Sequence, residues 1–253
     1  MAYISEYNGI NLHLHCGLVT PRVSGVHSLP EPELNILYLP GRDTAHVSVK
    51  RRGMREPTFG AVVTGDTHLE LCQNLDTLKG YLTADDDFHA LVVDDKPTLQ
   101  IMALSTGFPI QTDYLPAEVT AVELQLPFLC YPYWEDAAWH TDTIAAATGS
   151  VTNSGQMPTY PYCTCAVSAA MAGGLYFEIG SDRFTYTGAL DPADVLLIDT
   201  DPQAPTVKLN GVVDMANTSV AAKFPALAIG ANAIALSDFT KFTLYVQHKR
   251  RYW

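Results

Sequence analysis

Residues 194–246, DVLLIDTDPQAPTVKLNGVVDMANTSVAAKFPALAIGANAIALSDFTKFTLYV, alternate short apolar runs with turn residues at close, regular spacing. This pattern predicts a sandwich of antiparallel strands. Val195 to Ile198 is a compact apolar run stopped by Asp199-Thr200-Asp201-Pro202. Thr206 to Leu209 meets Val212-Val213 across Asn210-Gly211, the dipeptide that best tolerates the two positive φ angles of a type I′ hairpin turn. Phe224-Pro225 leads into Leu227 and Ile229, and Gly230-Ala231-Asn232 reads as another turn. Phe242, Leu244 and Val246 alternate with Lys241, Thr243, Tyr245 and Gln247, so the last strand has one apolar face and one wet face.

Working outward, 253 residues suffice for one large or two ordinary domains, and a hydrophobic content of 47% is that of a folded chain. A net charge of −12 argues against a sequence-independent grip on nucleic acid, which needs a basic surface. No apolar run approaches a membrane span and no leader pattern opens the chain, so the expectation is a soluble protein synthesised in the cytoplasm, without membrane insertion. Five cysteines, Cys16, Cys72, Cys130, Cys163 and Cys165, are an odd number without framework spacing and read as reduced, mostly buried small hydrophobes. Seven of the fifteen basic residues fall in two patches: Lys50, Arg51, Arg52 and Arg55, and Lys249, Arg250 and Arg251. Two readings stand for both patches, a solvated loop and tail, or a surface that docks onto an acidic neighbour.

Toward the N-terminus, strand-like runs occur at Ile10 to Leu14 and Ile36 to Leu39, separated by VTPRVSGVHSLPEPE, where Pro30 and Pro32 mark a loop or an edge. A turn at Gly41-Arg42-Asp43-Thr44 precedes further strands at His46 to Arg52 and Ala61 to Thr64. Thr67 can cap a helix and Glu70 can close a capping box, and Leu71, Leu75, Leu78 and Leu82 then recur on one face, predicting an amphipathic helix from Thr67 to Leu82. Strands follow near Ala90 to Val93, Leu99 to Leu104 and Ala117 to Leu126. The aromatic and proline-rich run from Leu126 to Trp134 reads as packing, and TGSVTNSGQMPTYP, residues 148–161, has the composition of a linker or crossing loop.

Several of these stretches carry a resemblance. The Ile198-Asp199 turn, the Asn210-Gly211 hairpin, FPAL at 224–227 and IGAN at 229–232 resemble the C-terminal sandwich of the distal tail proteins (Dit) of long-tailed, non-contractile bacteriophages. The GRDT turn at 41–44 with its strand, basic cluster and strand, the F-x-C-x-P-Y run of Phe128, Cys130, Pro132 and Tyr133, and the N-x-G-x-x-P-x-x-P run of Asn153, Gly155, Pro158 and Pro161 are similar to further segments of that family. The resemblance implies a mainly β chain of two sandwich domains. The first, 1–147, would carry the helix and build a hexameric ring, and the second, 148–253, would be a galectin-like jelly-roll sandwich. It implies a virion protein at the tail tip that joins the tail tube to the tail-tip or fibre protein of the host-adsorption apparatus, beside the tape-measure protein, and leaves a channel for DNA. Lys50, Arg51, Arg52 and Arg55 would lie at an inter-subunit or tube-facing contact. The family implies neither a cofactor nor an enzymatic role.

Each candidate for chemistry has a structural reading beside it. His13 and His15, and Cys163 and Cys165, are two apart on expected strands and share a face, yet neither pair has a third ligand nearby. Asp85, Asp86 and Asp87, with Asp94 and Asp95, lack the spacing and distal Glu of a calcium loop. Glu135 with Asp136, and Asp199 with Asp201, are acid pairs of the kind any acidic protein offers, and separation in space decides glycosidase chemistry. Without a nucleophile elbow, a P-loop or a dinucleotide fingerprint, a structural or binding role is the expectation. The alternative function is a carbohydrate-binding module for host-surface glycans, with Tyr160, Tyr162, Tyr176, Phe177 and Tyr186 as stacking faces, against the favoured reading of them as core and strand aromatics.

Overall fold

The structure is a computed structural model that describes residues 4–25, 28, 30–38, 45–107 and 116–253, with the backbone alone for 21–23, 33–38 and 45–51. The chain forms two compact units, residues 1–134 with Trp253, and residues 135–252. The 147/148 junction that the resemblance implies lies within the second of these units. The supposed linker begins with a strand, Thr148–Asn153, which pairs along its whole length with the strand Gly230–Leu236 and buries Val151 completely. Only one face of that strand meets the core, so its Thr, Gly and Ser residues masked it in the sequence.

The N-terminal unit contains β1 (Ile4–Tyr7), α1 (Leu12–Cys16), β2 (Leu18–Ser24), β3 (Pro32–Tyr38), β4 (Ala45–Arg52), β5 (Thr58–Thr64), α2 (His68–Leu82), β6 (His89–Val93), β7 (Leu99–Ser105) and β8 (Ala121–Cys130). Its main sheet runs β1-β6-β7-β8-β5-β2, all antiparallel, and β3 pairs with β4 in a separate ribbon. Pro32 opens β3, the strand position where a missing N–H costs least.

Alternate residues of β5 and β8, Phe59, Ala61 and Val63 with Leu124, Leu126, Phe128 and Cys130, are buried. β8 starts later than expected and runs past Pro127. It pairs with β5 as far as Pro127 and with β7 from Phe128 onward, so the residue lacking an N–H sits where the partner changes, and its carbonyl accepts from Thr106 N at 3.0 Å.

The helix expected from Thr67 forms as α2. Thr67 Oγ1 accepts from Glu70 N (3.2 Å), and a Glu70 carboxylate oxygen accepts from Asp66 N (2.9 Å). Leu71, Leu75, Leu78 and Leu82 are all buried. The expected strand at Ile10 to Leu14 is instead the short helix α1. Asn11 caps it by accepting from Leu14 N (3.0 Å), and Gly17 ends it in the left-handed region at φ 59°, where a Cβ would stand 2.7 Å from Thr64 O. Leu12 and Cys16, four apart, are the buried face, while Leu14 is 78% exposed. Apolar residues at 10, 12 and 14 imitate strand alternation, but the cap at each end decides for a helix turn.

The C-terminal unit begins within β9 (Trp134–Asp136) and contains β10 (His140–Ile144), β11 (Thr148–Asn153), β12 (Tyr162–Val167), β13 (Leu175–Ile179), β14 (Asp182–Tyr186), β15 (Val195–Asp199), β16 (Thr206–Leu209), β17 (Val212–Val213), β18 (Gly230–Leu236), β19 (Phe242–His248) and β20 (Arg251–Tyr252). One sheet runs β10-β19-β12-β15-β16-β17 and the other β11-β18-β13-β14. They share one core that includes Cys163, Cys165, Phe177, Phe184, Ile198 and Leu244, which makes the unit a sandwich.

Asn210 and Gly211 have φ of 49° and 83°, as the type I′ turn between β16 and β17 requires. Residues 230–232, expected as a turn, open β18 instead. The bend lies just before them and is closed from inside the strand, because Asn232 accepts from Ala228 N (2.9 Å) and donates to the carbonyls of Ala228 (2.9 Å) and Gly230 (3.0 Å).

Candidate functional site

The basic patch of the N-terminal unit starts on β4. The side chains of Lys50 and Arg51, and the whole of the 41–44 turn, lie outside the described part of the structure. Arg52 is half-buried. It donates to Pro30 O (3.2 Å) and its guanidinium stands 4.7 Å from the ring centroid of Trp253. Arg55 is corrected from a surface contact to an internal clamp: it is 4% exposed, its Nε and Nη2 both donate to Pro132 O (3.0 and 2.9 Å), and its backbone exchanges two hydrogen bonds with Cys130 (2.9 and 2.7 Å). Burial lowers its pKa. Lys96 stands 4.3 Å from the Trp134 ring centroid, and burial first, then the neighbouring Arg55 charge, lower its pKa as well.

The C-terminal triplet is built into the second unit. Lys249 pairs with Glu135 (3.3 Å), Arg250 N donates to the Asp136 carboxylate (3.2 Å) while Asp136 N donates to Arg250 O (3.0 Å), and the Arg251 guanidinium lies 5.4 Å from the Tyr160 ring centroid. Asp136 also meets His140 Nε2 (2.7 Å) and accepts from the Tyr252 hydroxyl (3.3 Å). The acids once weighed as a glycosidase pair are therefore the partners of the C-terminal segment.

The remaining polar candidates serve the fold. His13 and His15 sit on α1 rather than on a strand, so they do not share a face; a ring nitrogen of His13 meets Leu18 O at 3.0 Å. Cys163 and Cys165 both point inward and are fully buried, which raises both thiol pKa values. Asp85 pairs with His89 (2.6 Å), and that hydrogen bond is the main cause of its lowered pKa. Asp199 and Asp201 accept from backbone N–H groups two residues on, at Asp201 (3.0 Å) and Gln203 (2.9 Å). Among the described residues, no three His, Cys, Asp or Glu come together as metal ligands, and no helix is long and apolar enough to cross a membrane.

The five aromatics divide. Phe177 and Tyr186 are core residues, Tyr186 donating to Asp214, and burial followed by this hydrogen bond raises the Tyr186 pKa to about 12. Tyr160 and Tyr176 are half-buried under the guanidinium groups of Arg251 and Arg183. Tyr162 stands on the outer face of β12, edge-on to Trp139 with ring centroids 5.5 Å apart, and the two line a recess of about 310 Å³ with Gln247. Trp139, 50% exposed, carried no local signal in the sequence, since only the pairing of β10, β19 and β12 brings residues 139, 162 and 247 together.

Comparison with known proteins accounts for this architecture. Residues 154–252 match the family model described as Siphovirus-type tail component, C-terminal domain. The C-terminal unit is thus similar to that family over most of its length. The whole chain shares its fold with the crystal structure of the SPP1 Dit (gp 19.1) protein, described as a paradigm of the hub adsorption apparatus in phages infecting Gram-positive hosts, at a TM-score of 0.78 and 17% identity over 98% of this chain and 99% of that one. The baseplate of phage P2, in its activated conformation with Ca, contains a chain similar at a TM-score of 0.50 and 10% identity, over 92% of this chain and 90% of that one. No curated protein matches the chain. The chain thus has the mainly β fold of the SPP1 Dit protein, and its residues 154–252 are similar to the siphovirus-type tail component family.

Proposed function

We propose that this chain is a virion constituent, a distal tail protein whose copies close into a hexameric ring at the tail tip, joining the tail tube to the host-adsorption apparatus around a channel for DNA. The observation that carries this reading is the agreement between the family match over 154–252 and a Dit-like fold that extends through the other unit to 98% of the chain. A heterologous contact closes into a ring when its rotation divides a full turn. The acidic balance of the chain suits a conduit that must not retain DNA. The role is architectural, and its partners are the chain itself, the tail tube protein, the tail-tip or fibre protein and the tape-measure protein. The domain division at 147/148 would separate the ring-building part from the part outside it.

Of the basic patch, Lys50, Arg51 and Arg52 on β4 remain as the contact to a neighbouring subunit or the tube, whereas buried Arg55 holds the fold. Native mass spectrometry with negative-stain imaging tests the proposal. Six-fold rings with a central hole are expected, alone or on mixing with the tail tube protein. A strict monomer in both conditions would overturn it. Arg51→Glu with Arg52→Glu is expected to weaken ring closure or tube binding, and unchanged assembly would remove that contact from the proposal.

A further inference from the structure

The sheet β10-β19-β12-β15-β16-β17 has a buried face and an outer face, and strand register fixes what stands on the outer one. Thr141 is opposite Gln247, Gln247 opposite Tyr162, and Tyr162 opposite Asp199, a polar row across four strands. The intervening residues Cys163, Ile198 and Val246 point into the core. Trp139, immediately before β10, stands at the Tyr162 end of the recess with half of its surface exposed, and Tyr245 is exposed in the next row.

A pyranose ring presents an apolar C–H face and a rim of hydroxyls. An indole matches the first, and groups that both donate and accept match the second. Gln247 supplies an amide that donates to Thr141 Oγ1 at 3.4 Å, Tyr162 supplies a hydroxyl hydrogen-bonded to the Asp199 carboxylate, which also accepts from Asp201 N (3.0 Å), and sugar hydroxyls would join these pairs as both donors and acceptors. The volume of about 310 Å³ is at the small end of ligand sites.

Competing ligand classes fit less well. A nucleic acid or other polyanion would meet Asp199, and the nearest cation, Lys249, 5.3 Å from the Trp139 ring centroid, is paired with Glu135. The exposed aliphatic residues of the same sheet, Val195, Val212 and Val213, lie toward its opposite edge, so the recess itself is aromatic and polar.

We propose that the recess bounded by Trp139, Tyr162 and Gln247 binds a saccharide, with one sugar ring on Trp139 and its hydroxyls taken by Gln247, Tyr162, Thr141 and Asp199. The lining residues all come from the C-terminal unit of a single chain.

The test uses the full chain on a glycan array, followed by titration of methyl β-D-galactopyranoside, methyl β-D-glucopyranoside and N-acetylglucosamine with tryptophan fluorescence and calorimetry. Binding in the millimolar range is expected for at least one pyranoside. Trp139→Ala should weaken it about tenfold or more, and Tyr162→Phe, which keeps the ring and loses the hydroxyl, several-fold. Lys208→Ala, on β16, should leave it unchanged. The thermal melt and oligomeric mass of each variant report whether fold and assembly survive. No binding by the array or by any of the three sugars at concentrations on the order of tens of millimolar would overturn the proposal. So would binding that persists unchanged in a folded Trp139→Ala variant.

Discussion

Asn153 illustrates how one residue can hold a junction. Its side chain is fully buried, Nδ2 donates to Met157 O (2.9 Å) and Leu227 O (3.2 Å), and Oδ1 accepts from Gly155 N (3.0 Å). Asn153→Ala strands the Gly155 N–H inside the sandwich and takes a donor from Met157 O and from Leu227 O, which keeps its bond from Thr159 N (3.0 Å); at about 1–3 kcal/mol for a buried orphan the expected loss is about 1–3 kcal/mol, read from the shift of the urea midpoint. Gly155 belongs to the same device, since a Cβ there would meet Arg251 O at 2.8 Å. The sequence motif and its local bonds to Gly155 and Met157 are readable, but Leu227, which ties Asn153 into the sandwich, is 74 residues away. His248 carries the pH prediction. It is 1% exposed, and burial lowers its pKa; Asp142, 3.9 Å away, and Asp136 act against this, while His140 and Arg250 add to it. The folded chain therefore resists a proton that the unfolded chain accepts near about pH 6.5, so this contribution is complete above that pH and is lost as pH falls. Thermal midpoints measured from about pH 7 to about pH 5 are expected to decline in the wild type and to decline less steeply in His248→Phe.

At the level of elements, legibility follows the range of the forces that specify each one. α2 could be read because its cap, capping box and leucine stripe all lie within the helix or beside it. Thr67→Ala removes the acceptor for Glu70 N and should cost about 1 kcal/mol, measured by chemical denaturation, with Thr67→Ser restoring most of it. The hairpin at Asn210-Gly211 could be read for the same reason, and its Asn adds bonds to Val195 N (2.9 Å) and Asp194 (2.8 Å) that no local rule announces. α1 was misread because five residues with apolar alternation fit two periods, and the choice rests on Asn11 and on the close approach of Gly17 to Thr64. β11 reads as a linker because it is half wet and Val151 is its one apolar residue, and its identity as a strand comes from pairing with β18. The recess at Trp139 was not legible at all, because strand order and register assemble it.

The whole molecule carries a net charge of −12, so like copies repel at long range. Raising salt from about 0.01 M to about 0.15 M shortens the Debye length from about 30 Å to about 8 Å, and the oligomeric fraction seen by light scattering is expected to rise with it. A fall with salt would instead point to assembly driven by complementary charge, as the β4 basic residues could supply. By itself the sequence determined the class of the chain: mainly β, two units, one amphipathic helix, and turns at Asn210-Gly211 and Asn153 to Gly155. These features are encoded by residues close together in the chain, where periodicity, caps and φ preference act. Only the tertiary structure decided that Arg55 is an internal clamp, that Lys249 pairs with Glu135 and Arg251 lies over Tyr160, and that Trp139, Tyr162 and Gln247 share one surface. Those outcomes depend on burial and on pairing between distant strands, and neither is a property of any local stretch.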